Sequence, residues 1–174
     1  MAAVRKVIIP DGVKVQLDGT QLKVNGPKGQ LSRNVRFPQV SVACDGKEVT
    51  ITTESQRKEI TAMVGTLEAH TKNMVRGVTE GFEYRMKVVY SHFPIQLKLQ
   101  GNKLEIANFL GEKKARYARI ETGVTAKVAN DEVVLTGIDR ELVGTSAANI
   151  EHATHIRNRD PRVFQDGIYT VQRG

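Results

Sequence analysis

The sequence predicts an α+β fold built from two tandem duplicated domains, each a mostly antiparallel β-sheet packed against one α-helix, followed by an extended C-terminal tail. Three observations support this prediction. Short runs of alternating apolar and polar residues, separated by Gly-containing turns, indicate strands paired as hairpins. One longer run in each half has apolar residues at helical spacing. The order of these runs repeats along the 174-residue chain, as it does in a duplicated domain.

Runs that are typical of strands fill the start of the first half. Alternating apolar residues predict one hairpin over 13–24 and another over 40–53, each with an Asp-Gly pair at its turn. A further strand is expected over 31–36, after a turn that contains Gly and Pro. In the second hairpin, Cys44 shares the inward-facing positions with Val42, so we expect its thiol to be buried.

A helix and a long strand complete the first copy. From 60 to 78, apolar residues recur every three or four positions, which predicts an amphipathic helix. Thr53 with Gln56 fits a capping box and therefore predicts that the helix begins just after Thr53. Gly81 predicts the end of the helix, and the alternation over 82–90 predicts the strand that follows.

The second half repeats the order of the first. At an offset of 82 residues, apolar positions and a glycine coincide in the first hairpin of each half: Val13, Val15, Leu17, Gly19, Leu22 and Val24 match Ile95, Leu97, Leu99, Gly101, Leu104 and Ile106. The helices share a motif, Val64-Gly65-Thr66 in one and Val143-Gly144-Thr145 in the other. We therefore predict two domains, 1–90 and 91–174, with the second helix running from Asp139 to about His155.

Composition favours a polyanionic partner. Lys and Arg number 26 against 19 Asp and Glu, which gives a net charge of +7, and nucleic acid is the usual partner of a soluble basic domain. Hydrophobic residues make up 40% of the chain, enough for real cores. The single cysteine excludes an internal disulfide and fits a reducing cytoplasmic setting. Apolar runs are too short for a secretory leader or a transmembrane span, so we expect no membrane association.

Basic residues cluster at two places in the second copy. One is the loop 113–119, and the other is the stretch that follows the second helix, where Pro161 and Gly167 favour a non-helical path along a nucleic-acid backbone. Arginine suits phosphate oxygens, and helix-terminal His or Asn side chains can also donate to phosphate or ribose. The candidate RNA-binding residues are Lys113, Lys114, Arg116, Arg119, Asn149, His152, His155, Arg157, Arg159 and Arg162.

The expected mode of binding is recognition of RNA shape and phosphates. Aromatic residues make up 5% of the chain and form no aromatic-rich strand on which bases would stack. A protein–protein adaptor, with the two copies as a spacer and the tail as the docking segment, stays open as one alternative. A small metal-dependent hydrolase using Glu151, His152 and His155 is another, although no further ligand is suitably spaced. We expect no enzymatic activity, no cofactor and no small-molecule substrate.

Several longer motifs match a known family. They cover almost the whole chain in order: Ile9-Pro10, Val24-Asn25-Gly26-Pro27-Lys28-Gly29, Asn73-Met74-Val75-Arg76-Gly77-Val78-Thr79-Glu80-Gly81-Phe82, Tyr84-Arg85-Met86-Lys87-Val88-Val89-Tyr90-Ser91-His92-Phe93-Pro94, and Arg157-Asn158-Arg159-Asp160-Pro161-Arg162-Val163-Phe164-Gln165-Asp166-Gly167-Ile168-Tyr169. On these residues the chain resembles the large-subunit ribosomal protein L six family, called L nine in older eukaryotic naming, in its archaeal and eukaryotic branch.

The resemblance implies a specific role. Members of this family are structural constituents of the large subunit in the cytoplasmic ribosome, without enzymatic activity. They bind large-subunit ribosomal RNA near the factor-binding region, at the base of the sarcin–ricin loop stem, mainly through the second domain and the C-terminal tail, and they adjoin neighbouring ribosomal proteins. In this sequence the implied contacts are the loop 113–119, the stretch 152–162 and Arg173.

Overall fold

The computed structural model describes residues 3–129, 131–160 and 162–174. The chain divides into two compact units, Met1–Gly81 and Phe82–Gly174, each with its own hydrophobic core. Pro161, which we expected to steer the tail, lies outside the described residues.

The first unit contains one helix and two antiparallel three-stranded sheets. The strands are β1 (Ala3–Ile8), β2 (Lys14–Asp18), β3 (Gln21–Gly26), β4 (Gly29–Asn34), β5 (Ser41–Cys44) and β6 (Glu48–Thr53), and the helix is α1 (Lys58–Thr79). The sheet orders are β1-β6-β5 and β2-β3-β4. Because the strands alternate, each sheet turns one apolar face inward, and α1 packs its buried stripe of Val64, Leu67 and Val78 into the same core.

Both predicted hairpins of the first unit are confirmed, but the start of its helix is not. The predicted capping box at Thr53 is wrong because Thr53 is the last residue of β6, where its hydroxyl donates to the carbonyl of Gln39 and accepts from the amide of Ser55. The helix begins at Lys58 instead, and Arg57 at its N-terminus makes no side-chain cap. The predicted end is confirmed, since Gly81 takes a left-handed φ of 77° directly after Glu80, the C-cap of the helix.

Cys44 faces inward as expected but is only partly buried. It packs against the core of the first unit together with Val40 and Val42. Its Sγ lies 3.5 Å from the carbonyl oxygen of Val15, at the end of a strand where solvent still reaches it. The alternation therefore predicts correctly which face of the sheet carries Cys44, but not how deeply its side chain is buried.

The second unit repeats this arrangement and adds one strand. Its strands are β7 (Phe82–Val89), β8 (Gln96–Gln100), β9 (Lys103–Ala107), β10 (Arg116–Arg119), β11 (Val124–Ala129), β12 (Glu132–Gly137) and β13 (Gly167–Arg173), and its helix is α2 (Arg140–Ala153). The sheet orders are β10-β9-β8 and β11-β12-β7-β13. Val15 pairs with Val24 in the first unit, and Leu97 pairs with Ile106 in the second, so the sequence duplication is also a structural one. The duplicated α+β fold is confirmed.

The structural division between the units differs from the predicted boundary at residue 90. The strand β7 pairs with β12 and β13 of the second unit, and its inward residues Phe82, Tyr84 and Met86 belong to that unit's core. It is the counterpart of β1, which pairs with β6 in the same way. The strand therefore opens the second copy, whereas the sequence pattern places it at the end of the first.

The end of the C-terminal tail forms part of the second sheet. After an irregular stretch that follows α2, the last residues return as β13 and pair antiparallel with β7, from Gly167 opposite Val89 to Arg173 opposite Tyr84. The fully buried Ile168 anchors this strand in the core. The tail is thus held at both ends, by α2 before it and by the sheet after it.

Candidate nucleic-acid interface

The C-terminal end of α2 is the centre of the candidate site. Asp139 caps the start of the helix by accepting a hydrogen bond from the amide of Glu141 at 2.8 Å. Val143, Ala147 and Ile150 lie on one face of the helix and are buried in the core. The packing of this face therefore fixes the position of the helix, and with it the position of the carbonyl oxygens in the last turn.

A loop between β9 and β10 reaches this helix end. Between the equivalent strand pairs, Val24 with Leu31 and Ile106 with Arg116, the first copy has six residues (25–30) and the second has nine (107–115). The longer loop contains a short 3₁₀ turn, Phe109–Gly111, whose phenylalanine is buried. The loop carries two of the predicted basic residues, and both of them, Lys113 and Lys114, are exposed.

Arg116 connects the loop to the end of α2. Its Nη1 donates to the carbonyl oxygens of Ala153 and His155, at 3.0 and 3.1 Å. Its Nε and Nη2 bind both carboxylate oxygens of Glu112, at 2.9 and 2.6 Å. The guanidinium also lies over the ring of Phe109, with 4.4 Å between its Cζ and the ring centroid. Four of its five N–H donors are therefore used within the chain, so Arg116 is a structural residue here.

These bonds change the electrostatics of the helix end. The free carbonyls at a helix C-terminus carry a partial negative charge, which repels phosphate. The guanidinium of Arg116 binds the carbonyl of Ala153, the last residue of the helix, and that of His155 just beyond it, and supplies a full positive charge beside them. The partial negative charge at the end of α2 is therefore neutralised where the basic residues that follow the helix begin.

Arg116 and Glu112 also bring the two basic clusters together. The hydrogen bond from Arg116 lowers the pKa of Glu112, the charges of Arg116 and Arg159 lower it further, and partial burial opposes them. Arg159 lies in the stretch after α2 and Glu112 lies in the loop, so the charge of one segment affects a carboxylate of the other. Two clusters that are about 40 residues apart in sequence thus lie next to each other in the structure.

A buried carboxylate holds the tail near this site. Asp166 is fully buried and accepts four hydrogen bonds. They come from the backbone amide and hydroxyl of Ser91, at 3.2 and 3.0 Å, and from the backbone amide and Nδ1 of His92, at 3.3 and 2.9 Å. Burial raises the pKa of Asp166, but the bonds from His92 and Ser91 together outweigh it, and the pKa lies below its usual value.

Aromatic contacts extend this anchor towards the arginines. The ring of Phe164 stacks on His92 with 4.7 Å between centroids, and the guanidinium of Arg159 lies 4.7 Å from the centroid of the same ring. On the helix side, Glu151 accepts from the amide and hydroxyl of Thr170 at 2.8 and 2.6 Å. The path of the tail after α2 is therefore determined by contacts at several points.

The predicted residues fall into three groups. The exposed residues around the helix end are Lys113, Lys114, His152, His155, Arg157, Arg159 and Arg162. The residues engaged within the chain are Arg116 and Asn149, the latter donating to the carbonyl of Arg119 at 3.1 Å. The residues at the margins are Arg119, 3.6 Å from Glu121, and Arg173, which lies at the far end of β13, about 20 Å from Gly167 at 3.4 Å per residue.

Two exposed arginines differ in how freely they can move. Arg157 makes no hydrogen bond or ion pair with any described residue, whereas the Nε of Arg162 lies 3.4 Å from a carboxylate oxygen of Asp160. His92, Phe164 and Asp166 position this surface, and the sequence pattern does not predict this role for them. A buried acidic residue directly before Gly167 gives no periodic signal, and its partners are 74 and 75 residues away.

The alternative metal site receives no support from this geometry. Within the described ranges, no three His, Cys, Asp or Glu side chains are grouped so that they could hold a metal ion. Glu151 is directed to Thr170 of β13.

Among the described residues, neither helix has the length and apolar character needed to cross a membrane.

Comparisons with known proteins agree on one family. The model of the family described as Ribosomal protein L6 matches residues 9–81 and 93–167, one range in each structural unit. Large ribosomal subunit protein uL6 from Methanospirillum hungatei JF-1 is 60% identical over 173 residues, which cover 99% of this chain and 98% of that protein. The proteins of the same name from Methanocella arvoryzae and Methanothrix thermoacetophila are 53% and 51% identical, and each alignment covers 98% of this chain and 97% of the relative.

Proposed function

Because the chain belongs to the ribosomal protein L6 family, we propose that it holds large-subunit ribosomal RNA in shape near the factor-binding region, at the base of the sarcin–ricin loop stem. Family membership makes it a structural constituent of the large subunit in the cytoplasmic ribosome, and not an enzyme. Its partners are ribosomal RNA and neighbouring ribosomal proteins. In our proposal the second unit and the C-terminal tail make most of the RNA contacts.

The observation that supports this assignment of contacts is the basic surface around the end of α2. Lys113 and Lys114 from the loop and Arg157, Arg159 and Arg162 from the tail are exposed there, beside the carbonyls that Arg116 neutralises. Flexible and partly fixed cations on one surface suit the crowded phosphates of a folded RNA junction. The adaptor alternative offers no explanation for so many exposed cations around one helix end.

The residues have different roles in this proposal. The five exposed cations bind phosphates, and hydrogen bonds are donated by His152 in the last turn of α2 and by His155 just beyond it. Arg116 and Asn149 position the surface and do not bind RNA themselves. Arg119 and Arg173 contact RNA at the margins. No chemical step occurs, because the protein acts by neutralising phosphates and by holding a fixed shape against the RNA.

The test is a salt titration of a triple variant, with Arg157, Arg159 and Arg162 changed to Ala. The probe is a domain-sized fragment of large-subunit ribosomal RNA that includes the sarcin–ricin loop stem. Each phosphate contact contributes about −0.7 to −0.9 to the slope of log affinity against log salt, so the slope should become less steep by about 2 to 3. Each lost charge-assisted hydrogen bond costs about 1.5–3 kcal/mol of binding free energy.

The matched control removes the same charge from the first unit. Lys14, Lys47 and Lys58 are exposed, and changing all three to Ala lowers the net charge equally. We expect the control to retain most of the parent slope, and both variants should keep the parent circular dichroism spectrum. Equal slopes for the parent and the Arg variant would contradict the proposed site, as would an equal loss in both variants.

A further inference from the structure

The outer edge of β1 in the first unit is an unfilled strand position. In the sheet β11-β12-β7-β13 of the second unit, β7 lies between two strands. Its counterpart β1 is at the end of the order β1-β6-β5, so within the described residues it has a strand on one side only. The duplication therefore provides an internal example of what such an edge can bind.

The backbone groups on this edge are known from the register. The amide of Ile9 donates to the carbonyl of Lys47 at 2.9 Å, on the side of β6. Because pairing alternates in an antiparallel ladder, the backbone groups of Ala3, Arg5 and Val7 also face β6. Those of the residues between them point to the open edge: Val4, Lys6 and Ile8.

The same alternation applies to β7, where the edge is occupied. The amide of Val88 donates to the carbonyl of Asp131 on the side of β12. The carbonyl of Glu83 accepts from the amide of Gly174, beyond the end of β13. Aligning the pair Val7–Val49 with the pair Met86–Val133 makes three edge residues of β1 equivalent to three of β7 that face β13: Val4, Lys6 and Ile8 correspond to Glu83, Arg85 and Lys87.

The side chains at this edge differ between the copies. The three in β7 are charged, whereas two of the three in β1 are apolar and exposed, Val4 at 53% and Ile8 at 80%. Proteins usually protect an open sheet edge with charges, since an apolar edge invites another strand. In the occupied sheet, Tyr169 of β13 lies opposite Lys87, so an incoming strand would place a side chain against Ile8 in the same way.

The helix beside the edge indicates the charge of the occupant. In the second unit, Glu151 of α2 binds Thr170 of β13. The helix motifs align Lys72 of α1 with Glu151, so a cation replaces the anion. Lys72 and Arg5 both lie near Glu68, at 2.7 and 3.6 Å, so two cations share one carboxylate and leave an excess positive charge between α1 and β1. A carboxylate at the position of Thr170 would complement this charge.

We propose that the open edge of β1 binds an extended segment of a neighbouring ribosomal protein as an antiparallel strand, with apolar side chains against Val4 and Ile8 and a carboxylate towards Lys72 and Arg5. Strand addition of this kind uses main-chain hydrogen bonds for affinity and alternate side chains for specificity. RNA fits less well, because phosphates only accept hydrogen bonds. They would leave the edge carbonyls without donors and the apolar side chains without partners.

Hydrogen exchange measures the occupancy directly. The amides of Val4, Lys6 and Ile8 are compared in the free chain and in isolated large subunits. Bonding to an added strand should slow their exchange in the subunit at least about tenfold. The amides of Arg85 and Lys87, already paired with β13, should be protected in both states. Equal exchange of the β1 edge amides in the two states would overturn the proposal.

Cross-linking identifies the class of the occupant. An Ile8→Cys variant in a Cys44→Ala background, labelled with a benzophenone maleimide and assembled into subunits, should give a protein adduct on irradiation. An RNA adduct, or no adduct, would overturn the proposal. The cross-link at β1 and the RNA contacts at the end of α2 are tested by different variants, since the triple Arg variant leaves β1 unchanged. Either proposal can therefore fail without the other.

A charge variant with a matched control tests specificity. For this test the photo-reactive label is moved to a Lys6→Cys site. Changing Val4 and Ile8 to Lys should then lower the yield of the protein adduct at least about tenfold, because charges on a sheet edge oppose strand addition. Changing the exposed Val163 and Val171 to Lys adds the same charge elsewhere and should leave the adduct unchanged. An equal loss in both variants would contradict the proposal. Should the first variant fail to fold, exchange in the parent chain still decides it.

Discussion

Changing Arg116 to Gln separates a residue that positions the RNA surface from one that contacts RNA. Glutamine has no charge and a shorter side chain, and its NH2 group offers two N–H donors where the guanidinium of Arg116 offers five. Arg119 is the matched control, because it lies three residues further along β10. Its side chain is 73% exposed, against 26% for Arg116. The same substitution at the two positions should affect different properties.

The expected loss of stability follows from the contacts of Arg116. The bonds to the two carbonyls lose their charge assistance, at about 1.5–3 kcal/mol together. The pair with Glu112 is partly exposed and contributes only about 0.3–0.5 kcal/mol. The contact with the ring of Phe109 adds about 0.5–1 kcal/mol. Arg116→Gln should therefore lower the free energy of unfolding by about 2–4 kcal/mol, whereas Arg119→Gln should change it by less than about 0.5 kcal/mol.

Two measurements are needed on each variant. Urea unfolding followed by circular dichroism gives the stability, and hydrogen exchange at the amide of Ile150 assigns the change to the second unit. At an m-value of about 2 kcal/mol/M, the midpoint for Arg116→Gln should fall by about 1–2 M. RNA binding over a salt series gives the number of phosphate contacts. Its slope should stay unchanged for Arg116→Gln and become less steep by about 0.7–0.9 for Arg119→Gln.

The reverse pattern would refute the reasoning. If Arg116→Gln left stability unchanged and reduced the salt slope, the guanidinium would be bound to phosphate in the complex and its bonds to the end of α2 would be incidental. A fall in affinity at constant slope, together with the loss of stability, is the pattern of a positioning residue.

Three further substitutions test the packing around the site. Asp166→Asn should destabilise the tail by about 2–4 kcal/mol, because an amide nitrogen cannot accept the hydrogen bonds that the carboxylate does. Since the pKa of Asp166 is lowered on folding, its contribution is complete above the unfolded value of about 3.9 and is lost as the pH falls through the lower folded value. Exchange at the amide of Ile168 should accelerate in that acid range for the parent and should lack this step in the variant. Gly137→Ala should lower the thermal midpoint, because the new Cβ would lie 2.8 Å from Cγ2 of Val143, whereas Gly144→Ala, with its nearest neighbour at 4.0 Å, should raise it through helix propensity.

Local structure was predictable because its signals are local. Alternation and Asp-Gly turns predicted the hairpins over 13–24 and 40–53, and helical spacing predicted both helices. Comparing the two halves then predicted the duplication. The prediction failed where two signals conflicted: Thr53 and Gln56 satisfy a capping pattern, but Thr53 completes the alternation of β6 and is paired in its sheet.

Long-range contacts were not predictable in the same way. Arg116 has the same composition signal as its basic neighbours in the stretch 113–119, and only the structure places its guanidinium against carbonyls 37 and 39 residues away. The strand β13 has a clearer missed signal, since Ile168-Tyr169-Thr170-Val171 is rich in residues that favour strands. The basic, Pro- and Gly-containing stretch before it obscures this signal, because such a stretch favours an extended tail.

In both copies a basic residue binds carbonyl oxygens at the C-terminal end of the helix. Comparing the copies therefore separates the features that the fold needs from those that a partner needs. In the first copy, Lys28 from the connection between β3 and β4 donates its amide to the carbonyl of Val78 and its Nζ to that of Glu80. In the second copy, Arg116, the first residue of β10 directly after the equivalent connection, performs this task. A cation that caps the helix is therefore part of the duplicated scaffold. The arginines after α2 have no counterpart, since α1 leads through Gly81 straight into the next strand. The fold does not require them, so their cost in charge repulsion is explained by a partner that carries negative charge.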